Sequence, residues 1–172
     1  NESICFGLPV LNRISEEERQ TLGLFVGVTP HLVKTDAMQH FENILQQVKQ
    51  NRRSDRPHQQ LPLPQLMAAL PQQVIENRGL FEVVISFDQH SYALPIEDVE
   101  SQFSFLRAGQ EKMPLTLYVR QAAADGQVEL SFEFLESYYD ESAIDRMIAR
   151  LNELAINSLA HPQKAIGVIN LL

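Results

Sequence analysis

Five histidines (His31, His40, His58, His90 and His161) and one cysteine, Cys5, have the widest chemical scope in this 172-residue chain. No two of these histidines stand three or four residues apart, so no single helix face presents a pair to a metal. His31 follows Thr29-Pro30 at the end of a glycine-containing apolar stretch, where a bulge can aim a functional side chain. Its plainer reading is a partly exposed histidine at a strand end. His58 precedes Gln59-Gln60-Leu61-Pro62, and its plain role is to hydrogen-bond backbone at the start of a helix. His40 falls off an apolar helical stripe and reads as surface. Cys5 lies inside an apolar run and reads as an inert small hydrophobe. The carboxylates at Glu16, Glu17 and Glu18, and those at Glu97, Asp98 and Glu100, read as solvated faces. There is no G-x-S-x-G elbow, P-loop, G-x-G-x-x-G or H-E-x-x-H. Gly23 and Gly27 are four apart, but no Lys-Ser/Thr follows, which argues against a phosphate cradle. Residue chemistry alone offers no nucleophile–base pair.

Composition narrows the class. With 14 Lys+Arg against 22 Asp+Glu the formal charge is −8, which argues against nucleic acid as a partner because phosphate contacts need a basic face. The 44% apolar content is enough for one sizeable core. No apolar run is long enough to span a membrane. A single cysteine excludes an internal disulfide framework and a multi-thiolate zinc site, so no metal is expected and a reducing cytoplasm fits. No secretory signal is visible at Asn1-Glu2-Ser3. Both ends of the chain are apolar, and the expectation is a segment of a longer protein.

The elements that would hold any site are partly legible. Ile4 to Leu11 reads as a buried strand, Asn12 to Thr21 as a solvated loop, and Leu22 to Val33 as a second buried strand. Two glycines inside that strand point to a bulge or to close approach by other groups. Thr35 or Asp36 can cap a helix reaching about Gln50, with Met38, Phe41, Leu45 and Val48 as its core stripe. Asn51 to Gln60 reads as a polar loop. Pro62 and Pro64 then open a short helix limited by Pro71. Leu80 to Phe87 has the apolar character of a central strand. Asp88 to Pro114 is mixed, with a short strand near Phe103–Leu106. Leu115–Arg120 and Val128–Phe134 alternate as a hairpin whose turn holds Asp125-Gly126. Asp140 caps a last helix with Ile144, Met147, Leu151, Leu154 and Ser158 as its buried stripe. Strands and helices mix without regular alternation, so the fold class is α/β (α+β), a mixed β-sheet with helices packed on one side.

Five segments, in order, carry a family resemblance. Gly7-Leu8-Pro9-Val10-Leu11-Asn12-Arg13 is similar to a G-x-P-V-x-x-R strand, and Leu22 to Pro30 to an I-G-x-F-V-N-T-x-P motif. His58-Gln59-Gln60-Leu61-Pro62-Leu63 is similar to H-Q-D-x-P-F, and Gly79 to Phe87 to P-L-F-x-V-x-F-x-F. Tyr138-Tyr139-Asp140, Ile144 and Arg146-Met147 are similar to a last helix and its lead-in. Together they resemble the C-terminal half of a condensation domain of nonribosomal peptide synthetases, over essentially the whole chain.

The resemblance implies a chloramphenicol-acetyltransferase-like half. A full domain has two such halves with a tunnel between them. Donor and acceptor reach the tunnel on phosphopantetheine arms of carrier proteins, and the acceptor amine attacks the donor thioester to form an amide. The implied partners are the N-terminal half of the same domain, acyl or peptidyl carrier domains and an adenylation domain. No cofactor is expected to bind directly. The family's H-H-x-x-x-D-G motif belongs to the other half, and no His-His pair occurs here. The resemblance therefore implies no catalytic residue in this segment. It implies a tunnel wall at Gly7, Leu8, Pro9, Phe25, Gly27, Val28, Thr29, Pro30 and Ser86, and structural roles for Arg13, His58, Pro62, Phe81 and Asp140. Gly27 and Val28 stand where the family has Asn and Thr, and Pro30-His31-Leu32 where it has Pro-Leu-Arg. A starter-type, epimerisation or heterocyclisation relative is an alternative. So are a non-catalytic platform that recruits carrier proteins and a free-standing acyltransferase half using coenzyme A thioesters.

Overall fold

The computed structural model describes residues 2–71, 79–88, 112–121 and 127–169. Five strands form one mixed sheet: β1 (Glu2–Val10), β2 (Gly27–Thr35), β3 (Val83–Asp88), β4 (Leu115–Gln121) and β5 (Val128–Phe134). Their order is β2-β1-β3-β4-β5. The outer pairs β1–β2 and β4–β5 are antiparallel, and the inner pairs β1–β3 and β3–β4 are parallel. The helices are α1 (Glu16–Gln20), α2 (Phe41–Asp55), α3 (Leu63–Ala69) and α4 (Glu141–Ala160), with 3-10 turns at Arg56–His58 and Ile166–Val168. The mixed sheet with helices is the architecture expected from the sequence.

β3 is central, as its apolar run requires, and Val84 and Leu115 are buried beside it. β1 meets β3 at one registered pair, Gly7 with Val84. Proline explains the shortness of that ladder. In the antiparallel β1–β2 pair the backbone groups of Leu32 and Lys34 bond outward to α2. Their partners Cys5 and Ser3 therefore turn theirs toward β3, as do Gly7 and Pro9 by alternation. Pro9 has no N–H to give there.

The outer edge of β2 is covered. Gln47 of α2 accepts from the Lys34 amide at 2.7 Å and donates to the Lys34 carbonyl at 3.1 Å. Asn51 donates to the Leu32 carbonyl at 2.7 Å. These amide side chains replace a missing strand and remove an open edge.

Several boundaries differ from the sequence reading. Asn12 to Thr21 is not only a loop: Ser15 and Glu18 form a capping box that starts α1. The strand β2 begins at Gly27, and Leu22 and Leu24 before it are 99% and 91% exposed. β1 is not fully buried either, since Ile4 is half exposed and Cys5 is of intermediate burial. Helix α2 starts after His40, because β2 runs on to Thr35 and the Asp36 carboxylate accepts from the Met38 amide in a turn. Met38 is thus outside the helix and exposed, and Leu45 is 41% exposed rather than core. The same helix continues to Asp55, through the stretch expected as a polar loop, because no breaker intervenes before Pro57.

Other expectations hold. Pro62 caps α3 and Pro64 lies in its first turn. The β4–β5 hairpin pairs from Leu115–Phe134 to Gln121–Val128. Its Asp125-Gly126 turn and the strand suggested near Phe103–Leu106 lie outside the described residues. Asp140 caps α4 by accepting from the Ala143 amide at 2.6 Å, and Ile144 and Ser158 of the expected stripe are buried. Beyond α4 the chain returns to the start of α2. The Gly167 amide donates to the Ala37 carbonyl at 2.8 Å, and the Glu42 amide to the Pro162 carbonyl at 3.2 Å.

Candidate functional site

The sheet has two unlike faces near β1. On one, Gly7 and Val84 are registered, and Ser86 follows Val84 by one alternation. A side chain on Gly7 would meet the Phe81 ring at 2.5 Å and Val28 at 2.9 Å, so glycine is needed for Phe81 to close over this point. On the other face, Leu8, Val10, Thr29, His31, Ile85 and Phe87 floor a cavity of about 390 Å³. Its rim comes from the end of α2 and the turn after it: Arg52, Arg53, Asp55, Arg56 and Gln59, with Pro9 at the sheet side. A volume of this order suits a small ligand.

His31 is the buried polar group of the floor. Its ring is 2% exposed, sits in the middle of β2, and packs against Phe6 with centroids 5.3 Å apart. This corrects the reading of a partly exposed strand-end residue: the strand continues four residues past it, and α2 covers it. His31 Nδ1 lies 3.2 Å from Asp55 Oδ2. An ionised carboxylate only accepts, so Nδ1 carries the hydrogen of that bond. Nε2 is buried and has no hydrogen-bond partner among the described residues.

A second cavity adjoins the first and shares Arg53, Arg56 and Gln59 with it; Arg13 and Arg19 add to its cationic side, and Ile14 and Pro57 line the rest. Arg13 has other duties. Its guanidinium donates to the carbonyls of Glu18, Thr21 (2.6 Å) and Gly23 (3.0 Å), and lies 4.2 Å from the centre of the Phe25 ring. It ties α1 and the exposed Leu22–Val26 segment to the end of β1.

The residues expected along a wall are therefore split. Leu8, Pro9 and Thr29 line the larger cavity, and the Thr29 hydroxyl donates to the Leu8 carbonyl at 3.4 Å. Gly7, Val28, Pro30 and Ser86 share the opposite face by strand alternation. Gly27 pairs with Val10, and a side chain there would meet Asn12 Nδ2 at 2.8 Å. The Asn12 amide thus occupies the space of a residue-27 side chain. Asn12 reaches it with a left-handed backbone, φ 51°, which asparagine tolerates. Its Oδ1 is buried without a partner among the described residues.

The structural candidates behave unequally. Arg13, Pro62, Phe81 and Asp140 each close a local junction. The exposed His58 side chain makes no hydrogen bond among the described residues, and its carbonyl accepts from the Leu61 amide. Burial raises the Cys5 thiol pKa against a weaker lowering by a backbone hydrogen bond at His31, so the sulfur stays protonated. Among the described residues no cluster of three metal-ligating side chains exists, and no helix is long and apolar enough to cross a membrane.

A condensation-domain family model matches residues 1–172. The chain belongs to the condensation-domain family. Among curated relatives, bacitracin synthase 2 of Bacillus licheniformis is 25% identical over 99% of this chain and 7% of its own length. Bacitracin synthase 1 of the same organism is 23% identical over 99% of this chain and 3% of its own. The chain thus spans less than a tenth of either relative. Among solved structures, a holo four-domain nonribosomal peptide synthetase bound to AMP and glycine superposes with a TM-score of 0.81. Its identity is 19%, over 98% of this chain and 14% of that one. The starter condensation domain of rhizomide synthetase gives 0.77 at 20% identity, over 100% of this chain and 41% of that one. The condensation-domain fold accounts for the mixed sheet.

What sequence reasoning missed is the rim. Arg52, Arg53 and Arg56 read as loop residues, which hides that Arg52 and Arg56 stand one helical turn apart. The signal is the absence of a breaker between Gln50 and Pro57.

Proposed function

We propose that this chain is the C-terminal half of a condensation domain in a nonribosomal peptide synthetase, serving amide formation between a carrier-tethered donor thioester and an acceptor amine. The observation that carries the reading is the condensation-family match across residues 1–172. A sheet-floored cavity with Leu8, Pro9 and Thr29 on it supports the assignment of a substrate wall. In this reading the amine attacks the thioester carbonyl, a C–N bond forms, the C–S bond breaks, and the thiol leaves on its arm. The amine proton needs a base. The described residues hold no nucleophile–base pair, and no H-H-x-x-x-D-G motif stands in the sequence. The base then belongs to the N-terminal half, and this half is inactive alone.

In this reading Leu8, Pro9 and Thr29 carry the tunnel wall on the cavity side of the sheet, Phe25 and Gly27 stand just before and at the start of β2, and Val28, Pro30 and Ser86 back the wall from the opposite face, where Gly7 admits Phe81. Substrates arrive on phosphopantetheine arms, carrier and adenylation domains are the partners, and the cytoplasm is the compartment. The test is reconstitution. The chain alone, given loaded donor and acceptor carriers, yields no amide by mass spectrometry, whereas the parent condensation domain does. Turnover by the chain alone sinks the half-domain reading. A parent domain that binds loaded carriers but never forms product replaces it with a recruitment platform.

A further inference from the structure

We propose that helix α2 is a hinged strap: it lifts from β2 as one unit, pivoting at its N-terminal end, while the sheet beneath stays paired. The first observation is how the helix is held. No residue of α2 is buried, whereas α4 buries Ile144 and Ser158. The side of α2 turned to the sheet carries Ile44, Gln47, Val48, Asn51 and Asp55, which recur at helical spacing. Ile44 and Val48 are its apolar members, and both are only half-buried. The other three hold by polar contacts. Gln47 bonds the amide and the carbonyl of Lys34 at 2.7 and 3.1 Å, and Asn51 donates to the Leu32 carbonyl at 2.7 Å. Asp55 accepts from His31 at 3.2 Å, through a side chain that is itself 50% exposed. Each of these bonds exchanges for one to water when the helix lifts, so each holds weakly.

The second observation is what closure costs. With α2 seated, the His31 ring is 2% exposed and its Nε2 has no hydrogen-bond partner among the described residues. A buried polar atom without a partner opposes the state that buries it. Lifting α2 uncovers the ring and gives Nε2 to water. The side chain that latches the helix through Nδ1 therefore also brings the closed and open states closer in free energy.

The pivot lies at the start of the helix. The Glu42 amide donates to the Pro162 carbonyl at 3.2 Å, the Gln163 side-chain amide donates to the Glu42 carboxylate, and His40 bridges to Ala165. These bonds tie the first turn of α2 to the segment after α4, and none of them involves β2. At the far end the helix runs into the Arg56–His58 turn, which is exposed throughout. Arg52, Arg53, Asp55 and Arg56, at that end, form the rim over the sheet-floored cavity. Lifting therefore moves the rim furthest, and the position of the strap sets how wide the cavity stands. The strap does not depend on the function proposed above.

The experiment is native-state amide hydrogen exchange of the full chain, read residue by residue. The Lys34 amide is a built-in reporter, because its acceptor is the Gln47 side chain. The neighbouring Val33 amide faces Ile4 in the β1–β2 ladder and reports the sheet. In the unaltered chain, Lys34 is expected to be protected at least about tenfold less than Val33, the mark of a local opening. Asn51→Ala and Asp55→Ala each remove a latch that does not touch Lys34, and alanine is the better helix former. Each is expected to lower Lys34 protection by about fivefold, and both together by about 25-fold, with Val33 unchanged. Equal protection at Lys34 and Val33 in the unaltered chain overturns the strap, since α2 would then leave only with the sheet. Lys34 protection that does not move in either variant also overturns it, because the latches would then open one by one. So does an equal loss at Val33, which would make α2 part of one cooperative unit with the sheet.

Discussion

Arg13 offers a sharp test of how this fold holds its surface segments. Its guanidinium donates to three carbonyls, on Glu18, Thr21 and Gly23, and lies over Phe25. A lysine keeps the charge but presents a compact ammonium in place of a planar fork. It can reach one of the three carbonyls, and it keeps little of the stacking. Losing two part-exposed hydrogen bonds at about 1 kcal/mol each, and about 0.5 kcal/mol of cation–π attraction, gives about 2–3 kcal/mol for Arg13→Lys. The loss is local, because Leu22 and Leu24 are almost fully exposed and bury nothing against the sheet. Amide hydrogen exchange is the fitting assay. The Glu18 and Arg19 amides are bonded to Ser15 through its hydroxyl and carbonyl, and they open when α1 detaches. Their exchange should accelerate by about 30- to 150-fold, since 1.4 kcal/mol is tenfold. Amides in β3 and β4 should be unaffected. Unchanged exchange at Glu18 and Arg19 would refute the reasoning, and equal acceleration throughout the sheet would refute its local character.

Gly7→Val places methyl groups where the Phe81 ring sits, and should cost about 1–3 kcal/mol in urea unfolding followed by circular dichroism. Adding Phe81→Leu should return part of that loss; no recovery would mean that the clash is elsewhere. Gly27→Val meets only the tip of the Asn12 side chain and should cost less, about 1 kcal/mol. Asn12→Gly, which also tolerates the left-handed backbone, should relieve it. Acid titration should reveal two caps. The Glu18 carboxyl pKa is lowered chiefly by the Ser15 and Ile14 backbone N–H groups, and that of Asp140 by the Ser142 hydroxyl and the Ala143 N–H. A depressed folded pKa contributes stability above the ordinary carboxylate range of about 4, lost as pH falls through the depressed value. Glu18→Gln and Asp140→Asn should each flatten the acid limb of the stability–pH curve; an unaltered slope would count against the cap.

The parts of the fold legible in the sequence are those where one physical signal acts alone. The β4–β5 hairpin alternates strictly because Leu115, Leu117 and Val119 share one face and Phe132 and Phe134 oppose them across the ladder. The last helix is legible because Asp140, Ile144 and Ser158 fix its cap and its stripe together. Boundaries fail where two signals compete. At Asp36 the capping preference is real, but the turn it caps precedes the helix by a few residues. At Leu22 and Leu24 apolar character points to burial, while Arg13 fixes that segment outside the sheet by its carbonyls. Such long-range bonds leave no periodicity to read.

The site shows the same limit in a sharper form. A missing asparagine at Gly27 reads, in one dimension, as a polar group lost from the wall. In three dimensions the Asn12 amide stands within 2.8 Å of the point where that side chain would begin. An amide thus stands beside position 27 from the end of β1, fifteen positions away in sequence, and the left-handed backbone at Asn12 carries it there. Its Oδ1 is buried with no partner among the described residues. A side chain at 27 must then push the tip of the Asn12 side chain aside. Restoring the family residue by Gly27→Asn alone should destabilise the chain, whereas Gly27→Asn with Asn12→Gly should restore it. Comparing the urea midpoints of the two variants decides the matter: equal midpoints would mean that the two positions are independent.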